Sequence, residues 1–206
     1  MRKLAILLFL ACASTASAQY AEFWLNLGQS VVNNGSLGTQ AQFGGSPDDL
    51  QLKNGFRFRL TMGINNDRYF GHEVHYAYTR THLQAQGVGP TGAATTNSFG
   101  MGIHQGGYNF LLYGTREGTR IRPFVTGGVL FSNFVLPGSS ALQGGGNTKY
   151  GFSYGAGIKY RVTGKWAARL DIRQITTPKP FGNYGFALQQ GWFKMTAITA
   201  GFGVVF

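Results

Sequence analysis

From residue 20 onward the chain alternates apolar and polar residues in steps of two. Between Gly55 and Ile64, Phe56, Phe58, Leu60, Met62 and Ile64 alternate with Arg57, Arg59, Thr61 and Gly63. Successive side chains of a strand point to opposite faces, so this segment has one apolar face and one polar face carrying two arginines. The pattern returns with Phe70, Val74, Tyr76 and Tyr78 against Glu73, His75 and Thr79. It returns again with Phe152, Tyr154, Ile158 and Tyr160 against Ser153, Gly155, Lys159 and Arg161, and with Leu170 and Ile172 against Arg169, Asp171 and Arg173. Eight strands are predicted: Tyr20–Val32, Gly55–Ile64, Tyr69–His82, Ser98–Tyr113, Ile121–Phe134, Tyr150–Val162, Trp166–Ile175 and Trp192–Phe206. The fourth and fifth alternate less cleanly, and Pro123 predicts a bulge or a strand start. After residue 18 no run is apolar enough for a membrane helix, and no 3.6-residue periodicity appears.

The connections alternate in length. Asn65–Arg68, Gly114–Arg120 and Thr163–Lys165 are short, whereas Asn33–Asn54, Leu83–Asn97, Asn133–Lys149 and Thr176–Gly191 are long. Short turns at one end and long loops at the other are the layout of an up-and-down barrel in an outer membrane. An even strand number puts both ends of the barrel on the short-turn side. In lipid the apolar face of each strand lies outside and the charged face inside, the inverse of a soluble barrel.

Composition agrees with that inversion. Charged residues are 12% of the chain, aromatics 15%, and glycine numbers 32, while mean hydropathy is only −0.08. A soluble domain of this size carries more charge, and a bundle of lipid-embedded helices is far more hydrophobic. The first residues read as an export signal: Arg2 and Lys3, an apolar run from Leu4 to Ala11, then Ala16-Ser17-Ala18. Residues 1–18 are therefore expected to be a cleaved signal peptide and 19–206 the barrel domain. Cleavage removes the sole cysteine, Cys12, so no disulfide is expected. Leu10-Ala11-Cys12 also matches a lipobox loosely, which leaves lipidation of Cys12 as the alternative. Without Arg2 and Lys3, 16 of the 18 basic residues remain against 7 acidic ones, a formal +9. An exported chain has little occasion to meet nucleic acid, so none is expected. The basic residues suit turns, the interior and anionic lipid headgroups.

The last strand puts Thr196, Ile198, Ala200, Phe202, Val204 and Phe206 on one face. Thr199-x-Gly201-x-x-Val204-x-Phe206 resembles the C-terminal signal by which the barrel-assembly machinery recognises outer-membrane barrels. Val204 is hydrophobic where an aromatic is usual. The chain as a whole resembles the small eight-stranded barrels of the OmpA-like and OmpX-like group. Gly71-His72-Glu73-Val74-His75-Tyr76, Arg122-Pro123-Phe124-Val125-Thr126-Gly127-Gly128 and Arg169-Leu170-Asp171-Ile172-Arg173 carry that resemblance. It implies a monomeric, all-β, antiparallel up-and-down transmembrane barrel in contact with outer-membrane lipids and lipopolysaccharide. It implies location and fold better than activity.

Glu22, Arg57, Arg59, Glu73, His75, Lys159, Arg161, Arg169, Asp171 and Arg173 are expected in the lumen. Counting from the short turns puts Arg59, Glu73, Lys159, Arg169 and Asp171 near mid-membrane height. Eight strands leave an interior only as wide as its side chains, so these groups should interlock as a salt-bridged plug. The excess of basic over acidic groups leaves a narrow, anion-preferring channel as the alternative. Glu73 and His75 share a strand face and formally permit an acid/base pair, though membership of the plug accounts for both. His72 and His82 suit the girdle or loops, and His104 suits a lumen hydrogen bond. Four histidines without cysteine or His-x-x-x-His spacing make no metal site, and no cofactor is expected. Lipid A deacylases of this size use a His and a Ser on the outer wall, and no His-x-Ser pair occurs here. The loops are mostly Gly, Ser, Asn, Gln and Thr, a composition open to an extracellular ligand. Asp48-Asp49 alone does not make a calcium site.

Overall fold

The computed structural model describes residues 20–40, 48–65, 69–136, 138, 147–181, 187–188 and 191–206. The expected leader, its cleavage site and Cys12 lie outside the described residues. The strands are β1 (Tyr20–Val32), β2 (Ser36–Gln40), β3 (Asp48–Leu52), β4 (Gly55–Asn65), β5 (Phe70–Val88), β6 (Ala94–Tyr113), β7 (Ile121–Val135), β8 (Asn147–Arg161), β9 (Trp166–Pro178), β10 (Ala187–Leu188) and β11 (Trp192–Val205). No helix among the described residues is long and apolar enough to cross a membrane.

Eight long strands close on themselves. β1 pairs with β4, β4 with β5, and so on through β6, β7, β8 and β9 to β11, every pair antiparallel. β11 then returns to β1, with Phe23 opposite Val204 and Leu27 opposite Ala200. Closure leaves no ring strand with an unpaired edge, the condition under which a sheet can lie in lipid. The backbone N–H of Phe206 donates to the carbonyl of Ala21 at 2.8 Å, so both ends of the ring meet at the short-turn side.

The expected loops hold more strand than their composition suggested. β5 and β6 run past the ring to Val88 and Ala94, and β7 and β8 extend to Val135 and Asn147. The stretch Asn33–Asn54 contains β2 and β3, and β10 falls within Thr176–Gly191. β10, β2 and β3 form a flap that joins the upper part of β5, with Asp49 opposite Gln86 and Leu52 opposite Leu83. Pro123 marks neither a bulge nor a strand start. It is the third residue of β7, points outward opposite Ile158, and the register on both sides is continuous.

β7 alternates regularly, with Arg122, Phe124, Thr126, Leu130 and Ser132 inside. It read as irregular because aromatic and aliphatic residues occupy both faces. In β6 the outward glycines blur the pattern. Gly106 lies under Phe131, whose ring atoms are 2.7 Å from where a Cβ would be, so the neighbouring strand supplies the apolar cover there.

The outer wall is an apolar band bounded by aromatics. Tyr20, Phe70, Tyr160, Trp166 and Phe206 are exposed at the short-turn end, and Tyr150, Phe152, Tyr154 and Trp192 at the loop end. Trp166 stacks on Phe202 at 5.1 Å. The interior is filled in two layers. Its short-turn and middle part is charged. Its loop end is a cluster of Met101, Ile103, Leu130, Phe134, Ile175, Phe193 and Met195, covered by Leu37, Leu50 and Leu52 of the flap and by Phe181.

Candidate functional site: the barrel interior

The pleat decides which side chains meet. On β9 the inward positions are Ala167, Arg169, Asp171, Arg173 and Ile175, so one strand supplies a run of alternating charge. On β4 the inward residues Arg57 and Arg59 face the same space, and β5 adds Glu73 and His75. Asp171 is the hub. Arg59 Nη2 lies 3.1 Å from its Oδ2, Arg169 Nη2 donates to Oδ2 at 2.8 Å, and Arg173 Nε donates to Oδ1 at 2.8 Å. Glu73 takes Arg169 Nη1 at 2.9 Å and an N–H of Arg173. Asn109 Nδ2 donates to His75 Nδ1 at 3.0 Å and to Glu73 Oε1 at 3.4 Å. Glu73 and His75 are thus joined through an asparagine, and both belong to the interlocked layer.

Lys159 stands directly opposite Arg169 in the β8–β9 register, and its own partners lie beside that group. It bonds to Glu22 and donates to Tyr113 Oη at 2.6 Å. Glu22 also accepts from Trp24 Nε1 and Asn65 Nδ2, each at 2.9 Å. Arg161 is partly exposed and lies at the mouth, where its Nη2 donates to Glu117 Oε1 at 2.8 Å. Arg122 bonds the other oxygen of Glu117 and lies 3.7 Å over the Tyr113 ring. Arg57 stands on the loop side of Arg59, where its Nη1 donates to Thr79 Oγ1 at 3.0 Å and to Gln105 Oε1. Gln105 Nε2 in turn donates to Ser132 Oγ at 2.7 Å.

Sequence reasoning missed Trp24, Gln105, Asn109, Glu117 and Arg122. Position parity along β6 and β7 would have found Gln105, Asn109 and Arg122, but their inward neighbours Leu111 and Phe124 are apolar and hid the face. Glu117 gave no signal, because a turn residue has no parity. His104 is on the outer wall rather than in the lumen, paired with Tyr76 Oη at 2.7 Å. Its parity matches Tyr108 and Phe110, and the glycines at 102 and 106 obscured it. The apolar loop-end layer is the larger correction, since the interior is charged for only part of its height. Of the Asp48-Asp49 pair, the side chain of Asp48 lies outside the described residues, and Asp49 accepts from Gln51 Nε2 at 2.9 Å.

At the other end of the chain, Thr199 and Gly201 face inward and Val204 and Phe206 outward. Gly201 admits Asn26, whose Oδ1 lies 2.1 Å from where a Cβ would stand.

A ring of eight antiparallel strands with an apolar exterior and a salt-bridged interior matches the family described as outer membrane protein beta-barrel domain, over residues 4–206. The chain belongs to that family. It is an integral β-barrel protein of the bacterial outer membrane. Neisserial surface protein A has the same fold, with a TM-score of 0.58 at 15% identity, over 92% of this chain and 98% of that one. OprG from Pseudomonas aeruginosa aligns with a TM-score of 0.58 at 13% identity, over 90% and 96%. Ail of Yersinia pestis aligns with a TM-score of 0.51 at 14% identity, over 92% and 100%. At these identities the likeness concerns the fold alone. No curated protein matches the chain in sequence.

Proposed function

We propose that the protein is a closed, non-enzymatic barrel that serves envelope integrity or surface contact. The observation that carries this reading is the double filling of the interior. Buried charges are costly unless paired, and here three arginines are tied to two carboxylates on facing strands. Above them lies an apolar layer under a β-flap. Both layers favour a rigid plug over a water-filled path. The outer wall would meet outer-membrane lipids and lipopolysaccharide, with the loop end outside as the surface open to a ligand. Thr199, Gly201, Val204 and Phe206 would present the insertion signal to the barrel-assembly machinery. The barrel works as a monomer in this reading, without cofactor, metal or nucleic acid.

Planar-bilayer recording tests it. The purified barrel is expected to give no stable single-channel steps. Stable steps selective for anions would overturn the closed reading in favour of a narrow channel, which the excess of interior arginines over carboxylates would then explain.

A further inference from the structure

Four guanidiniums, those of Arg57, Arg59, Arg169 and Arg173, are buried in the middle of the barrel with two carboxylates, Glu73 and Asp171. Arg169 and Arg173 each bind both carboxylates, and Arg59 binds Asp171. Among the described residues, Arg57 bonds to the neutral oxygens of Thr79 and Gln105 and to no carboxylate. Arg59, the next inward residue of β4, places a like charge beside it. The other acids near the lumen are engaged elsewhere: Glu22 by Lys159, and Glu117 by Arg122 and Arg161. Among the described residues this layer therefore carries a surplus of positive charge in a region shut off from water on its loop side. Attraction and repulsion are both strong at such a place.

The hydrogen-bond inventory makes the same demand. Arg57 Nε, Arg59 Nε and Arg173 Nη1 are buried and find no acceptor among the described residues. Buried N–H groups in folded proteins are almost always satisfied. Arg57 and Arg173 form the upper edge of the charged layer. Ile103 sits beside Thr79 and Ile175 one inward step beyond Arg173, so the edge is roofed by apolar groups.

We propose that Arg57, Arg59 and Arg173 hold one small monovalent anion, of halide size, inside the barrel. Charge and donors both call for an acceptor that carries negative charge. An interior only as wide as its side chains restricts that acceptor to a compact ion. The roof makes it a structural ion that enters during folding rather than one passing through.

The test is to refold the protein in bromide and collect anomalous diffraction. A bromide peak within hydrogen-bonding distance of Arg57 and Arg173 is expected, and its absence from the interior overturns the proposal. Arg57→Gln keeps a hydrogen bond to Thr79 within reach and should abolish the peak; a peak that persists shows that Arg57 does not hold the ion. Should that variant fail to fold, wild-type protein decides by a second measurement. The temperature at which the folded band converts on gels should be several degrees higher in bromide than in gluconate at equal ionic strength, since gluconate is too large to enter. Equal temperatures overturn the proposal. The site is independent of the closed reading: a barrel that conducts and still shows the peak loses the closed lumen and keeps the anion.

Discussion

Asp171 is the residue on which the interior depends most, because three guanidiniums share its two oxygens. Its replacement by Asn keeps the shape and removes the charge that holds them together. Breaking a buried ion pair from one side costs about 3–5 kcal/mol, mainly through the charge left unpaired. Asp171→Asn is therefore expected to lower folding stability by an amount in that range, read by urea titration of the refolded barrel. Adding Arg59→Gln should recover part of the loss, since one of the stranded cations is gone, and simple additivity of the two variants would contradict the coupling. This part of the site was legible from the sequence. Arg59, Glu73, Arg169, Asp171 and Arg173 each adjoin at least one apolar residue of the opposite face, so parity turned them inward. Lys159 was assigned the right face, but its pairing with Glu22 and Tyr113 was not legible, because the stagger between distant strands does not follow from counting residues.

Among the elements, the long strands were legible and the flap was not. β4 and β9 separate apolar from polar side chains cleanly, whereas β2 and β3 are five residues each and rich in Ser, Gly, Thr, Gln and Asp. Their strand character comes from pairing with the extended β5, a tertiary contact that composition does not announce. For the same reason the apolar loop-end layer was hidden: Phe193, Met195 and Ala197 alternate with Trp192, Lys194 and Thr196, and an inward apolar run looks like noise on a face expected to be polar. β11 also carries the assembly argument. Phe206 is 73% exposed at the short-turn rim, so its ring is available to an outside partner. Phe206→Ala is expected to reduce the amount of barrel recovered in outer membranes several-fold, measured by immunoblot. The same variant should refold in detergent with wild-type heat-modifiable mobility. A matching loss in detergent would make Phe206 a packing residue and remove the signal reading.

At the scale of the molecule, the inverted arrangement of charge fixes where the membrane must lie. Leu170 is 60% exposed in the middle of the outer band, flanked across β8 and β11 by Ile158 and Ala200. Gln174, four residues further along the same outward face, hydrogen-bonds Thr196 Oγ1 at 2.8 Å, a polar contact that marks the loop-side edge of the band. The cost of an arginine on a barrel's outer face depends on depth, about 2–4 kcal/mol at the midplane and about 0–1 near the interface. Leu170→Arg should therefore cost several times as much as Gln174→Arg when folding is titrated in lipid vesicles. In detergent micelles, which deform around a charge, the difference should shrink. Equal costs in vesicles would mean that the band between the two aromatic rims is not the part of the wall that lipid covers. The membrane would then have to be placed elsewhere along the barrel, with the charged interior layer no longer at its centre.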